Sequence, residues 1–377
     1  MDAGLVTEIN GRLRIVFLLG WVVYIAFGDG ESARIQTEYG DVFSCVDITK
    51  QPAFNHPLLK NNIIQMRPNY IPKAKKTKAS KHAAPEVPLP GAGCPFGTVP
   101  ILIKKATQVR RTKSPPRSGR RAIGEEDEQD FHWAVLSTGQ GEFYGTQANI
   151  NTWAPKLTDE NQFTTSQMWI LSGPEKQLNA VEAGWMVDPH RFGDHLARLF
   201  IFWTRDAYNK TGCWNLDCPG FVQVNPKIPI GIAILPTSVY GGRQHEITLL
   251  VFQDPRRGDW WLAMGNDNKL VGYWPKSLFT HLAKSASMVI WGGEVYKPKK
   301  AASPPMGSGH FAEEGYGKSC YMRQMGVVVK KNVIVDAPPD TSNATDVPRC
   351  FNVIDHGKGD DDDNGRFFFF GGPGGFC

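Results

Sequence analysis

Two glutamates stand where carboxylates could do acid–base chemistry. Glu182 lies in Val181-Glu182-Ala183-Gly184-Trp185, and Glu294 in Trp291-Gly292-Gly293-Glu294-Val295-Tyr296, each beside Gly and Trp in apolar, strand-like surroundings. A carboxyl among aromatics loses hydration, which favours its protonated form, and a second carboxyl nearby drives the two titrations further apart. One group can then act as acid while the other acts as base, enough to activate a water without metal or cofactor. A glutamate on a strand is more often a solvated outer-face residue. The pair therefore depends on the elements that carry it.

From residue 131 onward, short runs of Val, Ile, Phe, Tyr, Trp and Thr alternate with Gly, Pro and Asn. Residues 163–171, 198–204, 246–252 and 259–264 read as strands by length and composition. Residues 275–284 are the best helix candidate, and no solenoid-type repeat is visible. An all-β fold follows, an antiparallel, jelly-roll-like β-sandwich. The tail 360–364, rich in Asp, reads as a turn ahead of a last strand at 367–370.

The first third differs. Arg12 and Arg14 precede an apolar run at 15–27 and the turn-like Gly28-Asp29-Gly30, which reads as a signal peptide over 1–28, too short for a membrane span. A mixed segment at 29–103 contains a basic run at 72–81 and a Pro-rich stretch at 85–90. Residues 104–130 then pass from Arg/Lys/Ser/Pro blocks to Glu125-Glu126-Asp127-Glu128. Such blocks cannot bury enough apolar surface to order themselves, so 104–130 is expected to be a linker open to proteolysis. The net charge of +5 comes largely from these runs, so no nucleic-acid partner is expected.

Seven cysteines leave at least one without an intramolecular partner. Cys213 and Cys218 are close enough to close a small loop, Cys350 and Cys377 could tether the tail, and Cys45 could pair with Cys94. Cys320 then remains as the free thiol. No spacing carries a matching His/Cys half-site, so no metal is expected. Asn209-Lys210-Thr211 and Asn343-Ala344-Thr345 are glycosylation acceptors suited to a secretory route.

The string Gln51-Pro52-Ala53-Phe54-Asn55-His56-Pro57-Leu58-Leu59-Lys60-Asn61, with Ile64-Gln65-Met66-Arg67-Pro68, resembles the activation peptide of the plant neprosin family. Residues 182–187, 198–204 and 291–295, and Met306-Gly307-Ser308-Gly309-His310-Phe311, resemble its catalytic domain. The resemblance spans roughly residues 36 to 377. It implies a secreted zymogen of a glutamic endopeptidase that cleaves after proline at acidic pH, with the catalytic pair on Glu182 and Glu294. The chain then divides into a signal peptide (1–28), an activation prodomain (29–103), a linker (104–130) and a catalytic domain (131–377).

For such an enzyme, Trp185, Trp291 and Tyr296 are candidates for an apolar pocket around the proline ring. Gln167, Gln244 or Tyr296 could supply a polar group for the oxyanion. His310 reads as a surface or structural histidine. The expected partners are proline-containing peptides and the chain's own prodomain as inhibitor. A monomer in the extracellular space, cell wall or vacuole, with no cofactor and no stable membrane span, completes the expectation. Two rival readings remain: a catalytically silent binding module of the plant cell wall, and a glycoside hydrolase using the same two carboxylates.

Overall fold

The structure, a computed structural model, describes residues 33–73, 93–103, 131–330, 332–359 and 364–377, together with the backbone of β1 (Val6–Ile9), β2 (Arg12–Ile15) and β3 (Val22–Ile25). The 104–130 linker, residues 74–81 of the basic run, the Pro-rich stretch and the rest of the signal segment lie outside the described residues. So do 360–363 of the acidic tail.

Next come β4 (Arg34–Thr37), β5 (Val42–Asp47) and β6 (Thr98–Leu102). The strands continue with β7 (Phe131–Ser137), β8 (Gly145–Asn151), β9 (Phe163–Ser172), β10 (Asn179–Val187), β11 (Arg198–Thr204), β12 (Cys213–Trp214) and β13 (Val222–Gln223). They are followed by β14 (Glu246–Gln253), β15 (Trp260–Met264), β16 (Lys269–Trp274), β17 (Met288–Tyr296) and β18 (Cys320–Val329). The last are β19 (Val333–Asp336), β20 (Ser342–Thr345), β21 (Asn352–Lys358) and β22 (Arg366–Gly371).

Two antiparallel sheets make the sandwich. One has seven strands in the order β12-β11-β10-β9-β17-β7-β20. The other has nine, running β13-β16-β15-β14-β8-β18-β22-β21 with β19 paired to β18. Strand alternation sorts the side chains. Val181, Ala183, Trp185 and Val187 of β10 face the inter-sheet core with Leu249, Val251, Trp260 and Leu262 of the second sheet. Ala180 and Met186 face outward, into a separate cluster with Trp169, Phe202 and Trp214. The seven-stranded sheet is thus buried on both faces where its central strands run, and every residue of β9 and β10 is buried.

The N-terminal part meets the sandwich through several contacts. In the sheet β3-β4-β5-β6, the turn before β5 offers Asp41, whose carboxylate takes two 2.9 Å hydrogen bonds from Arg198 of β11. Arg198 is 1% exposed and also donates to Asp194 and to the Gly231 carbonyl. Residues 48–71 then cross the outer face of the nine-stranded sheet. Ala53 joins a cluster with Val222, Leu250, Phe252, Trp261 and Tyr273, and Ile48, Phe54, Ile64 and Ile71 pack against it. Polar pairs fix the path. The Gln51 side-chain amide accepts from the Gln223 backbone N–H at 2.8 Å and donates to its carbonyl at 3.1 Å, the Tyr273 hydroxyl accepts from Asn62 and the Gln65 backbone, and Asp254 accepts from Asn69.

The expected helix at 275–284 is corrected. The segment forms only a 3-10 turn, Lys276–Leu278. The backbone amides of Thr280, His281 and Leu282 then converge on the Asn179 side-chain oxygen, at 2.8 to 3.2 Å. Those donors are satisfied by a neighbouring strand, and Leu278 and Leu282 are drawn into the core. Among the described residues the one α-helix is α1 (Pro189–Phe192). The cysteines are joined as Cys45–Cys94, Cys213–Cys218 and Cys350–Cys377, with Cys320 free and buried.

Candidate active site

Register decides whether the two glutamates can meet. Glu182 on β10 stands opposite Trp169 of β9, and Glu294 on β17 stands opposite Thr165 of the same β9. Trp169 and Thr165 are four residues apart on one strand, an even spacing, so both glutamates project from the same face of the seven-stranded sheet. That face is the outer one, where the neighbours of Glu182 are Trp169 and, on β11, Phe202. Glu294 is flanked there by Thr165 and, on β7, Trp133.

Between the pair lies Gln167. It stands opposite Gly184 on one side and Gly292 on the other. A Cβ at Gly184 would come within 2.7 Å of the Gln167 Cβ, and one at Gly292 would meet the Ala134 carbonyl at 2.3 Å. Gly292 also has φ +148°, which L side chains rarely adopt. The glycines next to each glutamate therefore clear the sheet on both sides of Gln167. The Gln167 side-chain oxygen is buried without a hydrogen-bond partner, an acceptor held ready in the floor between two carboxyls.

Burial favours the acid form of both carboxyls. Glu182 is 1% exposed and Glu294 7%. Burial pushes the Glu182 pKa up to about 8, against the opposing pull of the Tyr208 hydroxyl, which donates to Glu182 Oε1 at 2.8 Å. Burial likewise drives Glu294 well above the ordinary range, and the negative charges of Glu182 and Asp346 push it further the same way. Asp346 follows β20 and accepts from the Trp133 backbone amide at 3.0 Å and pairs with His132 Nδ1 at 2.7 Å.

Of the other residues singled out from the sequence, Tyr296 and Gln167 lie on the glutamate face. Tyr296 stacks on Phe163, ring centres 5.5 Å apart, and leans on Phe131 at 4.9 Å. Trp185 and Trp291 do not belong there. Each is three residues from its glutamate, an odd spacing that turns it into the inter-sheet core. There the Trp185 indole donates to the Asn151 carbonyl and that of Trp291 to Thr146. Gln244 is also displaced. It precedes a strand of the other sheet, and its amide nitrogen donates to the carbonyls of Val239, Gly242 and Gly317. His310 is half-exposed, its Nδ1 2.9 Å from Glu314 and its ring 4.2 Å from that of Tyr240.

Sequence reasoning missed Trp169, Tyr208 and Asp346. Trp169 was findable by counting two residues on from Gln167. Tyr208 and Asp346 reach the site from a turn and a strand end, and no periodicity marks them.

Comparison with known proteins identifies the chain. The family profile described as Neprosin matches residues 160–373, more than half the chain, and that of the Neprosin activation peptide matches residues 34–146. Among solved structures, the scytalido-glutamic peptidase with a peptide-based transition state analog is similar at 12% identity over 64% of this chain and 98% of that one, with a TM-score of 0.33. SCP-B of the Eqolisin family of peptidases, in complex with the tripeptide Ala-Ile-His, gives 11%, 64%, 98% and 0.32. The chain belongs to the Neprosin family of peptidases and carries that family's activation peptide.

Proposed function

We propose that the chain is the zymogen of a secreted glutamic endopeptidase, which hydrolyses peptide bonds after proline at acidic pH with Glu182 and Glu294 as its catalytic pair. One observation carries the reading: two buried carboxyls on one sheet face, flanking an amide with an unpartnered oxygen. A water between the pair loses a proton to the ionised carboxylate as its oxygen bonds to the scissile carbonyl carbon. The protonated partner hydrogen-bonds the carbonyl oxygen, and its proton passes to the leaving nitrogen as the C–N bond breaks. The amide nitrogen of Gln167 is the side-chain donor nearest in register to both, and suits the developing oxyanion.

Acidic operation follows from the need to share one proton between two carboxyls. In the described state burial keeps both protonated. Entry of water and substrate lowers the first titration into the acidic range, leaving the second proton in place. Proline selectivity is supported by the resemblance of the motifs and by rings on the glutamate face, Phe131, Phe163 and Tyr296, that suit a rigid apolar ring. Secretion is supported by three disulfides and the apolar N-terminal run. Among the described residues, no helix is long and apolar enough to cross a membrane. The N-terminal part, 29–103, acts as the inhibitor, released by cutting in the 104–130 linker, and the enzyme works as a monomer on proline-containing peptides. Glycans at Asn209 and Asn343 fit the same route.

The test is acid incubation of the full chain with a proline-containing peptide, wild type beside Glu294→Gln. Expected are cleavage on the carboxyl side of proline by wild type and its loss in the variant. Hydrolysis as fast at about pH 8 as at about pH 4 sinks the mechanism. A wild type that is inert even after the linker has been cut supports the silent binding module instead.

A further inference from the structure

The turn between β11 and β12 is built in an unfavourable conformation. Ala207 and Tyr208 have φ of 56° and 61°, two consecutive non-glycine residues in the left-handed region. Each such residue costs about 1 kcal/mol or more and persists only where its surroundings enforce it. Here the enforcement is visible. The Asp206 carboxylate accepts from the backbone amides of Lys210 and Thr211 and from the Thr211 hydroxyl, at 2.7 to 3.1 Å. The Thr204 hydroxyl accepts from the Tyr208 amide at 3.1 Å and donates to Asp206 at 3.2 Å. Tyr208 is thereby pinned with its ring stacked on Phe202, centres 5.7 Å apart, and its hydroxyl 2.8 Å from Glu182 Oε1.

The surroundings of the two glutamates are unequal. Glu182 faces Tyr208 from this turn, Glu294 across β9, and the apolar Trp169 and Phe202 on the flanking strands. Glu294 feels the negative charge of both Glu182 and Asp346, beside Trp133 and Thr165. A donated hydrogen bond favours an ionised carboxylate, and neighbouring negative charge disfavours one. Building on the glutamic-peptidase reading, we infer that the Asp206-clamped turn is a positioning device that presents Tyr208 to Glu182, making Glu182 the general base and leaving Glu294 as the general acid. Tyr208 occupies Oε1, so Oε2 is the atom that takes the proton of the attacking water. Glu294 supplies the proton for the leaving nitrogen, and the proton held by Glu182 restores it after product leaves.

The experiment measures kcat/KM against pH for wild type, Tyr208→Phe, Asp206→Asn and Ala207→Gly after linker cleavage, with Glu182→Gln and Glu294→Gln as references. Loss of the Tyr208 hydroxyl raises the pKa of the base, so the acidic limb moves up by about one pH unit, a tenfold change in the ionisation constant. Asp206→Asn moves the same limb in the same direction by less, through a loosened turn. Ala207→Gly, which only removes the penalty of a Cβ at positive φ, leaves the limb in place. A limb unmoved in Tyr208→Phe while both glutamine variants are inactive overturns this inference alone. Activity surviving in both glutamine variants overturns the glutamic-peptidase reading beneath it. If Asp206→Asn fails to fold, Tyr208→Phe still decides.

Discussion

The two outer faces of the sandwich handle buried carboxylates in opposite ways. On the nine-stranded sheet, Glu246 is 3% exposed and surrounded by donors: Arg323 through two nitrogens at 2.9 and 2.5 Å, Asn149 at 2.8 Å and the Tyr321 hydroxyl at 3.3 Å. On the seven-stranded sheet, Glu182 accepts a hydrogen bond from the Tyr208 hydroxyl and faces a second carboxyl. The first arrangement neutralises a charge and fixes three strands together. The second leaves protons movable, the condition acid–base chemistry needs. The activation segment keeps to the same division. Residues 48–71 dock on the face with the paired charge, not on the face that carries Glu182 and Glu294.

The largest effect expected on either face is on activity. Glu294→Gln is predicted to lower kcat/KM on a proline-containing peptide by about 10³-fold while the far-ultraviolet circular dichroism stays unchanged. A variant with more than a tenth of wild-type rate breaks the contrast. Next in size, Glu246→Ala removes a buried anion paired with Arg323 and is predicted to destabilise the fold by about 3–5 kcal/mol in urea unfolding. A loss below about 1 kcal/mol would mean that the charge on this face is not structural.

The third prediction reverses the sign. The Glu182 carboxyl holds its proton up to about pH 8 when folded, whereas an unfolded one releases it near the ordinary value of 4.5. The folded state thus binds more protons between those values. Stability is fully present below about pH 4.5 and is lost as pH rises through about 8. Glu182→Gln removes the titration and is expected to be more stable than wild type at pH 8 by a few kcal/mol, with much less difference at pH 4. Thermal melts of the two proteins at both pH values check it, and a difference that does not change with pH refutes it. The smallest effect belongs to the strap. Asp254→Ala removes the acceptor of Asn69 and is expected to weaken docking of residues 48–71 by about 1–3 kcal/mol, seen as faster amide exchange there with the rest unchanged.

Much of this was legible in residue types. The runs at 198–204 and 246–252 are strands because β-branched and aromatic residues suit a pleated, doubly buried surface. The glutamates were conspicuous because Gly and Trp beside them make a polar residue out of place. What those neighbours do was not legible. Trp185 and Trp291 look like pocket walls in the linear sequence, yet period-two alternation puts them on the opposite face, and Gly184 and Gly292 are the residues that open the site. Parity becomes decisive only once register is known, and register comes from pairing with β9. Tyr208 lies 26 residues from Glu182 in a turn whose left-handed residues are neither Gly nor Asn, so propensity argues against the very conformation that matters. The helix expected at 275–284 stops after its first turn because Asn179, about a hundred residues earlier, captures the amides that would have continued it.

The disulfide pattern carries a consequence for activation. Cys45–Cys94 closes within the N-terminal part, and Cys213–Cys218 and Cys350–Cys377 close within the sandwich, so no sulfur bridge joins the two. Their sole covalent tie is the backbone through 104–130. While it is intact, the strap meets its groove at an effective concentration set by the tether, and dilution cannot release it. One cut converts the same contacts into an ordinary association between two molecules. Release then depends on how dilute the compartment is, so a single peptide bond would set whether detachment of the N-terminal part responds to volume.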